Sequence, residues 1–296
     1  MWMTVATGLL YFTAACYAVS LSVVVGGNLF GWVARRVRPI DATQRAALDA
    51  VSPGPLDRAW GLIVEAAAQV LTVTVDVHRA LRIWRAPPRL EGEAASMPVL
   101  VLPGYMETAA SMSFVANWLS RRGFRVEQVE YPSTMAPIAK NAGFLRERIA
   151  EVRRRTGADK VAVVAHSMGG VITRCMMLQH PDDHHVNSLV CFASPHRGVT
   201  WAAGTPGRSA ADMTYTSAHM MAFPITARCG VPIDSVVGLQ DQIVNPVWAA
   251  FTEEGHNAVI DLAAGHMAPM FTRQGRELTE RFLLEAGVVR DETPRA

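Results

Sequence analysis

From Pro98 onward the chain alternates short apolar runs with segments of helical length, and that alternation leaves few folds open. The apolar runs are residues 99–102, 125–131, 161–165, 188–193, 234–239 and 257–262. Residues 112–122, 136–156, 169–180 and 268–286 carry apolar positions at helical spacing. Short apolar strands joined by helices predict a mostly parallel central sheet with helices on both faces. In such a sheet the loops at the carboxyl ends of the strands meet in one crevice, so chemistry is expected directly after each run.

The 296 residues suffice for one α/β domain with an appendage and are too few for two catalytic domains. Half of them are hydrophobic, which more than fills one core, and the apolar surplus lies at the N-terminus. No Asp, Glu, Lys, Arg or His precedes Arg35, and residues 3–25 are almost continuously apolar. A helix crosses a bilayer with about 20 apolar residues, so residues 1–34 are expected to be a single-pass transmembrane anchor. A cleaved signal peptide would begin with a basic region and carry a shorter apolar stretch. Arg35, Arg36 and Arg38 follow the span, which by the positive-inside rule puts the next domain on the cytoplasmic side. Gly26-Gly27 and other small residues give the anchor a face on which two helices can pair, hence a possible homo-oligomer.

Residues 56–84 form a second apolar-rich stretch, but Asp57, Arg58, Glu65, Asp76, His78, Arg79 and Arg82 argue against a second span. A long helix lying on the membrane surface or on the catalytic domain fits better. Residues 85–97, with Pro87, Pro88 and Gly92, read as a linker. The expected organisation is an anchor over 1–34, a helical juxtamembrane segment with linker over 35–97, and a catalytic domain over 98–296. A formal net charge of +2, with no basic stripe interleaved with aromatics, excludes a nucleic-acid groove. The four cysteines, Cys16, Cys175, Cys191 and Cys229, have no paired spacing for a zinc cage and read as buried thiols, with one bridge left open.

The third apolar run ends in Val163-Val164-Ala165-His166-Ser167-Met168-Gly169-Gly170 and enters a helix. A strand, a one-residue bend and a helix would lift the Ser167 hydroxyl to the sheet edge, with small neighbours letting the backbone turn. The A-H-S-M-G-G stretch resembles the nucleophile elbow of bacterial lipases and esterases of the α/β-hydrolase superfamily, and the likeness extends over about residues 98–286. The superfamily pattern is G-x-S-x-G, and this chain departs from it with Ala165 at the first glycine.

The resemblance implies a chain order of serine, acid, histidine. Asp241 directly follows the run Ser235-Val236-Val237-Gly238-Leu239 and is the expected acid, with Asp234 at the opposite strand end and Asp261 inside the next run. His266, in Ala264-Gly265-His266-Met267, follows the last run and is the expected base, whereas His256 precedes that run. His166 is expected to point away from the reacting centre, and His196 to support the turn around Pro195. Backbone N–H groups of Met168 and Tyr105, the latter in a loop resembling the superfamily's H-G-x loop with Pro103 in place of His, would stabilise an oxyanion.

Residues 199–232 correspond to the position of a short cap or lid, whose Trp201, Met220 and Phe223, with Met106 and Met267, are candidates for an acyl pocket or for plain core packing. These features lead to the expectation of a serine carboxylic-ester hydrolase. It would act on lipid-like esters through Ser167, His266 and Asp241, without metal or organic cofactor, at a membrane, the bacterial inner membrane by resemblance. Superfamily relatives of this kind are often exported, so resemblance and charge rule give opposite sides. A thioesterase or acyltransferase would use the same three residues, and a membrane-tethered binding protein could carry the same fold without turnover.

Overall fold

The computed structural model describes Gly26 and residues 40–291 apart from 52, 82–88, 93–95, 201–204, 262 and 263. The expected anchor over 1–34, Gly26 excepted, and Trp201 lie outside the described residues. Six strands, β1 (Pro98–Leu102), β2 (Arg125–Gln128), β3 (Val161–His166), β4 (Val186–Phe192), β5 (Ile233–Val237) and β6 (Asn257–Val259), pair in the order β2-β1-β3-β4-β5-β6. Every pairing is parallel, so all six carboxyl ends leave the sheet on one side. β1, β3 and β5 are buried throughout, which is why they read as unbroken apolar runs.

Nine helices lie among the described residues: α1 (Ala42–Asp49), α2 (Pro55–Ala80), α3 (Ser113–Arg121), α4 (Ile138–Thr156), α5 (Met168–Gln179), α6 (Arg208–Asp212), α7 (Ala218–Ala222), α8 (Ala268–Phe271) and α9 (Arg273–Glu285). One core forms where α4 and α5 cover a sheet face, with Leu145, Ile149, Ile172 and Met176 against Leu100, Val163 and Leu189. The opposite face packs Leu119, Phe282 and Leu283 against Val101, Val164 and Val190. This is the parallel sheet with helices on both faces that the alternation of runs predicts, and it agrees with the α/β-hydrolase fold that the resemblance implies.

Three element boundaries differ most from the sequence reading. β2 ends at Gln128, although Val129 and Tyr131 beyond it are buried, because these two side chains fill the core from a loop. β6 is only three residues long, so Asp261 lies past the strand and not within it. The expected helix over 268–286 is broken at Thr272, which is extended (φ −76°, ψ 149°) and caps α9 by accepting the Gly275 N–H at 3.1 Å.

α2 is, among the described residues, the helix long and apolar enough to cross a membrane. One face of it, Gly61, Glu65, Ala66, Ala68 and Thr72, is nevertheless buried, and the helix packs on α8 and on the turn Ala109–Met112. Its other face exposes Leu56, Trp60, Ile63, Leu71 and Val77.

The sheet's outer strand is tied down electrostatically. Buried Glu127 on β2 accepts from Arg155 Nη2 of α4 at 2.8 and 3.1 Å and from the Leu90 N–H at 2.9 Å. Glu127→Ala leaves this guanidinium short of its main partner, and we expect a loss of about 2–3 kcal/mol in denaturant-unfolding stability. An unchanged midpoint would show that the pair contributes nothing to the fold.

Candidate active site

Ser167 sits between β3 and α5 with φ 49° and ψ −118°, a strained backbone for a residue with a side chain. Its N–H donates to the Phe192 carbonyl at 2.8 Å, which clamps the bend to β4. The two glycines that follow are required by contact: a Cβ on Gly169 would lie 2.9 Å from the Pro103 carbonyl oxygen, and one on Gly170 only 2.6 Å from Cys191 Sγ. Ala165, by contrast, is the fully buried penultimate residue of β3, where a methyl group is accommodated.

Asp241 follows β5, as its position in sequence requires. Oδ1 accepts the N–H groups of Ile243 and Val244 at 2.8 and 2.7 Å, and Oδ2 lies 2.9 Å from His266 Nδ1. That contact places the proton on Nδ1 and directs the Nε2 lone pair away from the carboxylate. Burial opposes charging His266, yet Asp241, reinforced by Glu65 and Glu107, outweighs it and raises the ring's pKa above its ordinary value. Ser167 and His266 line the same cleft, of about 440 Å³, together with Tyr105, Met106, Gln242 and Met267.

The loop after β1 is pinned from behind. Glu107 accepts the Gly104 N–H at 2.7 Å and pairs with His166 Nδ1 at 2.8 Å. Burial would raise the Glu107 carboxyl, but His166 and the Gly104 N–H hold it below its ordinary value. His166 is fully buried, and its ring packs on that of His266 with centroids 4.7 Å apart. It therefore lies against His266 behind the cleft and is not among the residues that line it. A Cβ on Gly104 would lie 2.9 Å from His166 Nδ1 and 3.1 Å from the Ser167 Cβ, so only glycine lets this loop approach the bend. Tyr105 is the next residue, and its hydroxyl donates to the Pro206 carbonyl of the cap. Met168 opens α5, where its N–H has no partner within the helix.

Of the pocket candidates, Met106 and Met267 line the cleft, while Met220 and Phe223 do not. They border a small separate cavity with Cys175 and His196. The reason is Arg174 on α5, whose guanidinium donates to the carbonyls of Phe223, Pro224 and Ala227 and draws this part of the cap onto the helix. The cleft wall is supplied instead by α2, through Gln69, Thr72, Val73 and Asp76. Asp76, accepting from Thr108 Oγ1 at 2.6 Å, is raised to about 6 by burial, with Glu107 and Glu130 adding to the effect. No pattern in α2 marks these residues as cleft-lining, because their spacing is that of one face of any helix.

The remaining candidates lie elsewhere. His256 pairs with Asp234 at 2.9 Å, at the start of β5. His196 is buried, and burial beside Arg174 and Arg197 lowers it to about 3. Cys175, Cys191 and Cys229 are free, buried thiols, each raised to about 12, first by burial. Among the described residues no group of three His, Cys, Asp or Glu side chains is arranged to hold a metal ion.

Comparison with known proteins agrees with this architecture. The family model described as the alpha/beta hydrolase fold matches residues 97–212. A phospholipase A(1), LCAT3 of Arabidopsis thaliana, is 34% identical over 57 residues, which are 19% of this chain and 13% of that protein. Lipase B of Aspergillus fumigatus superposes with a TM-score of 0.58 at 14% identity, covering 66% of this chain and 54% of that one. The mature lipase BlEst2 of Bacillus licheniformis gives 0.52 at 16% identity, over 69% of this chain and 97% of the lipase. Naproxen esterase of Bacillus subtilis gives 0.50 at 16% identity, over 72% and 97%. Sheet order and family match together define the class: the chain is an α/β-hydrolase-fold protein similar to lipases and esterases.

The two imidazoles should titrate far apart. In nitrogen-detected NMR, the His266 signal is expected to change above pH 6.5, and the His196 signal to stay neutral until the fold fails in acid. Loss of each signal in His266→Gln and His196→Gln assigns them. Coincident midpoints near 6.5 would contradict the burial and charge pattern.

Proposed function

We propose that this protein is a serine carboxylic-ester hydrolase for lipid-like esters, with Ser167 as nucleophile, His266 as base and Asp241 as the acid behind it. The observation that carries the reading is the 2.9 Å Asp241–His266 contact beside a serine on a strained bend in one shared cleft. A serine hydroxyl attacks an ester only if a base removes its proton, and His266 with Nδ1 protonated has Nε2 available. As Ser167 Oγ bonds to the ester carbon, His266 takes the proton and Asp241 stabilises the imidazolium. The oxyanion is met by the N–H groups of Tyr105 and Met168, and the alcohol leaves with the proton from His266. Water then repeats the sequence on the acyl-enzyme and releases the acid.

Two features favour a lipid ester over a small soluble one. Met106, Val73 and Met267 give the cleft apolar walls, and Met106 and Val73 are exposed at its mouth. α2, which forms one wall, presents Leu56, Trp60, Ile63, Leu71 and Val77 to the outside, a face suited to a lipid surface. The uncharged run over 3–25 would serve as the tether that keeps this face at the membrane.

Four measurements test the reading. Turnover of p-nitrophenyl esters and phospholipids should rise with acyl length, and a preference for acetate or butyrate would overturn the lipid assignment. Ser167→Ala and His266→Ala should each lower kcat by roughly 10⁴–10⁶-fold with the fold retained, and an active His266→Ala protein would remove the base. Since a protonated ring cannot act as base, kcat/KM should fall with decreasing pH through a midpoint above 6.5, on the side to which Asp241 shifts His266. Removal of residues 1–34 should release the protein from membranes, and a full-length protein already free of them would refute the anchor.

A further inference from the structure

Glu65 is the only charged residue between Arg58 and Asp76, and it is fully buried. A carboxylate gains nothing from burial unless its oxygens are well met, and here they are met entirely by hydrogen-bond donors rather than by a cation in the bonds described. Oε1 accepts from the Met267 N–H at 3.0 Å, from Gln242 Nε2 at 2.8 Å and from Gln69 Nε2 at 3.2 Å. Oε2 accepts from the Met267 and Ala268 N–H groups at 3.0 and 2.8 Å. Gln242 adjoins Asp241, and its Oε1 accepts the His266 N–H at 3.2 Å. A Cβ on Gly265 would lie 2.5 Å from Glu65 Cγ, so the glycine before His266 is shaped to this carboxylate.

One side chain on α2 thus bonds both loops that hold the acid and the base, across sequence separations of 177 and 203 residues. A helix that only covered the sheet would do so with apolar contacts, as Ala66 and Ala68 do on the same face. The charged groups that face His266 are Asp241 from the loop after β5, Glu65 from α2 and Glu107 from the loop after β1, with the imidazole of His166 in tilted contact beside it. Glu65 is the one of these that also bonds the backbone directly after the base and, through Gln242, holds the amide that meets the His266 N–H.

We propose that Glu65 is a positioning residue for His266: it locks residues 265–268 and the Gln242 amide in the arrangement turnover needs, and its charge favours the imidazolium. The inference rests on His266 being the base. It makes α2 part of the catalytic unit, so that a helix outside the strand–helix alternation sets the geometry of the base.

Full-length Glu65→Gln keeps the size of the side chain but removes the charge and turns one acceptor into a donor. Its kcat on a soluble ester should fall about tenfold to a hundredfold with KM within about twofold, and the acidic limb of kcat/KM should move to lower pH. Gln242→Leu, which keeps the charge and cuts the link to the His266 N–H, should lower kcat without moving that limb. Ser167→Ala measured in parallel separates the two readings. If it abolishes turnover while Glu65→Gln keeps wild-type kcat and pH profile, the positioning role is overturned and the triad stands. If Ser167→Ala remains active, both fall. A Glu65→Gln protein that loses only melting temperature, with kcat and limb unchanged, also overturns the proposal. Should Glu65→Gln not fold, a wild-type kcat in Gln242→Leu overturns it in its place.

Discussion

Six strands running in one direction force every loop at their carboxyl ends onto the same edge of the sheet, and the rest of this molecule follows from that constraint. The bend at Ser167 leaves β3, Asp241 leaves β5 and His266 follows β6, so residues some 100 positions apart in sequence share one cleft. The sheet supplies rigidity, because its strands are paired with their neighbours and β1, β3 and β5 are buried on both faces. The loops supply chemistry, because their side chains project beyond the last ladder hydrogen bonds.

What gives the site its electrostatic character is an unusual density of buried carboxylate. Asp241, Glu65 and Glu107 surround a pair of imidazoles in tilted contact, His266 and His166, in a region almost closed to water. Each carboxylate has a fixed set of donors. Asp241 takes two N–H groups of its own loop, Glu107 the Gly104 N–H, and Glu65 those of Met267 and Ala268. Negative charge held this way needs no rearrangement when a proton arrives on His266, which is the condition for electrostatic preorganisation. The same carboxylates draw the loop after β1, the bend at Ser167, the His266 loop and α2 into one network. Rigidity and charge therefore come from the same groups.

The sheet was legible in the sequence because burial on both faces leaves a continuous apolar run, and strands such as 161–165 and 99–102 match closely what the fold contains. That Ser167, Asp241 and His266 lie close together was legible from the bend, the strand end and the Gly-His pair, read with the chain order that the resemblance implies. What could not be read depends on contacts between distant segments. Met220 and Phe223 look like pocket residues by type, yet Arg174 pulls their segment onto α5. Thr272 breaks a segment of good helical spacing because it caps α9. Glu65 looked like an argument against a second membrane span, and its partners more than 170 residues away give it another meaning. A lone charge in an apolar helix signals that something meets it, but not what.

The account turns on Ser167 being a nucleophile activated by His266. The direct measurement is treatment of the intact protein with a fluorophosphonate, followed by mass spectrometry of the adduct and its peptide. The account predicts a single adduct on Ser167 in the wild type, formed far more slowly in a folded His266→Ala protein. A folded wild type that takes up no reagent, or that carries it on another residue, would contradict it.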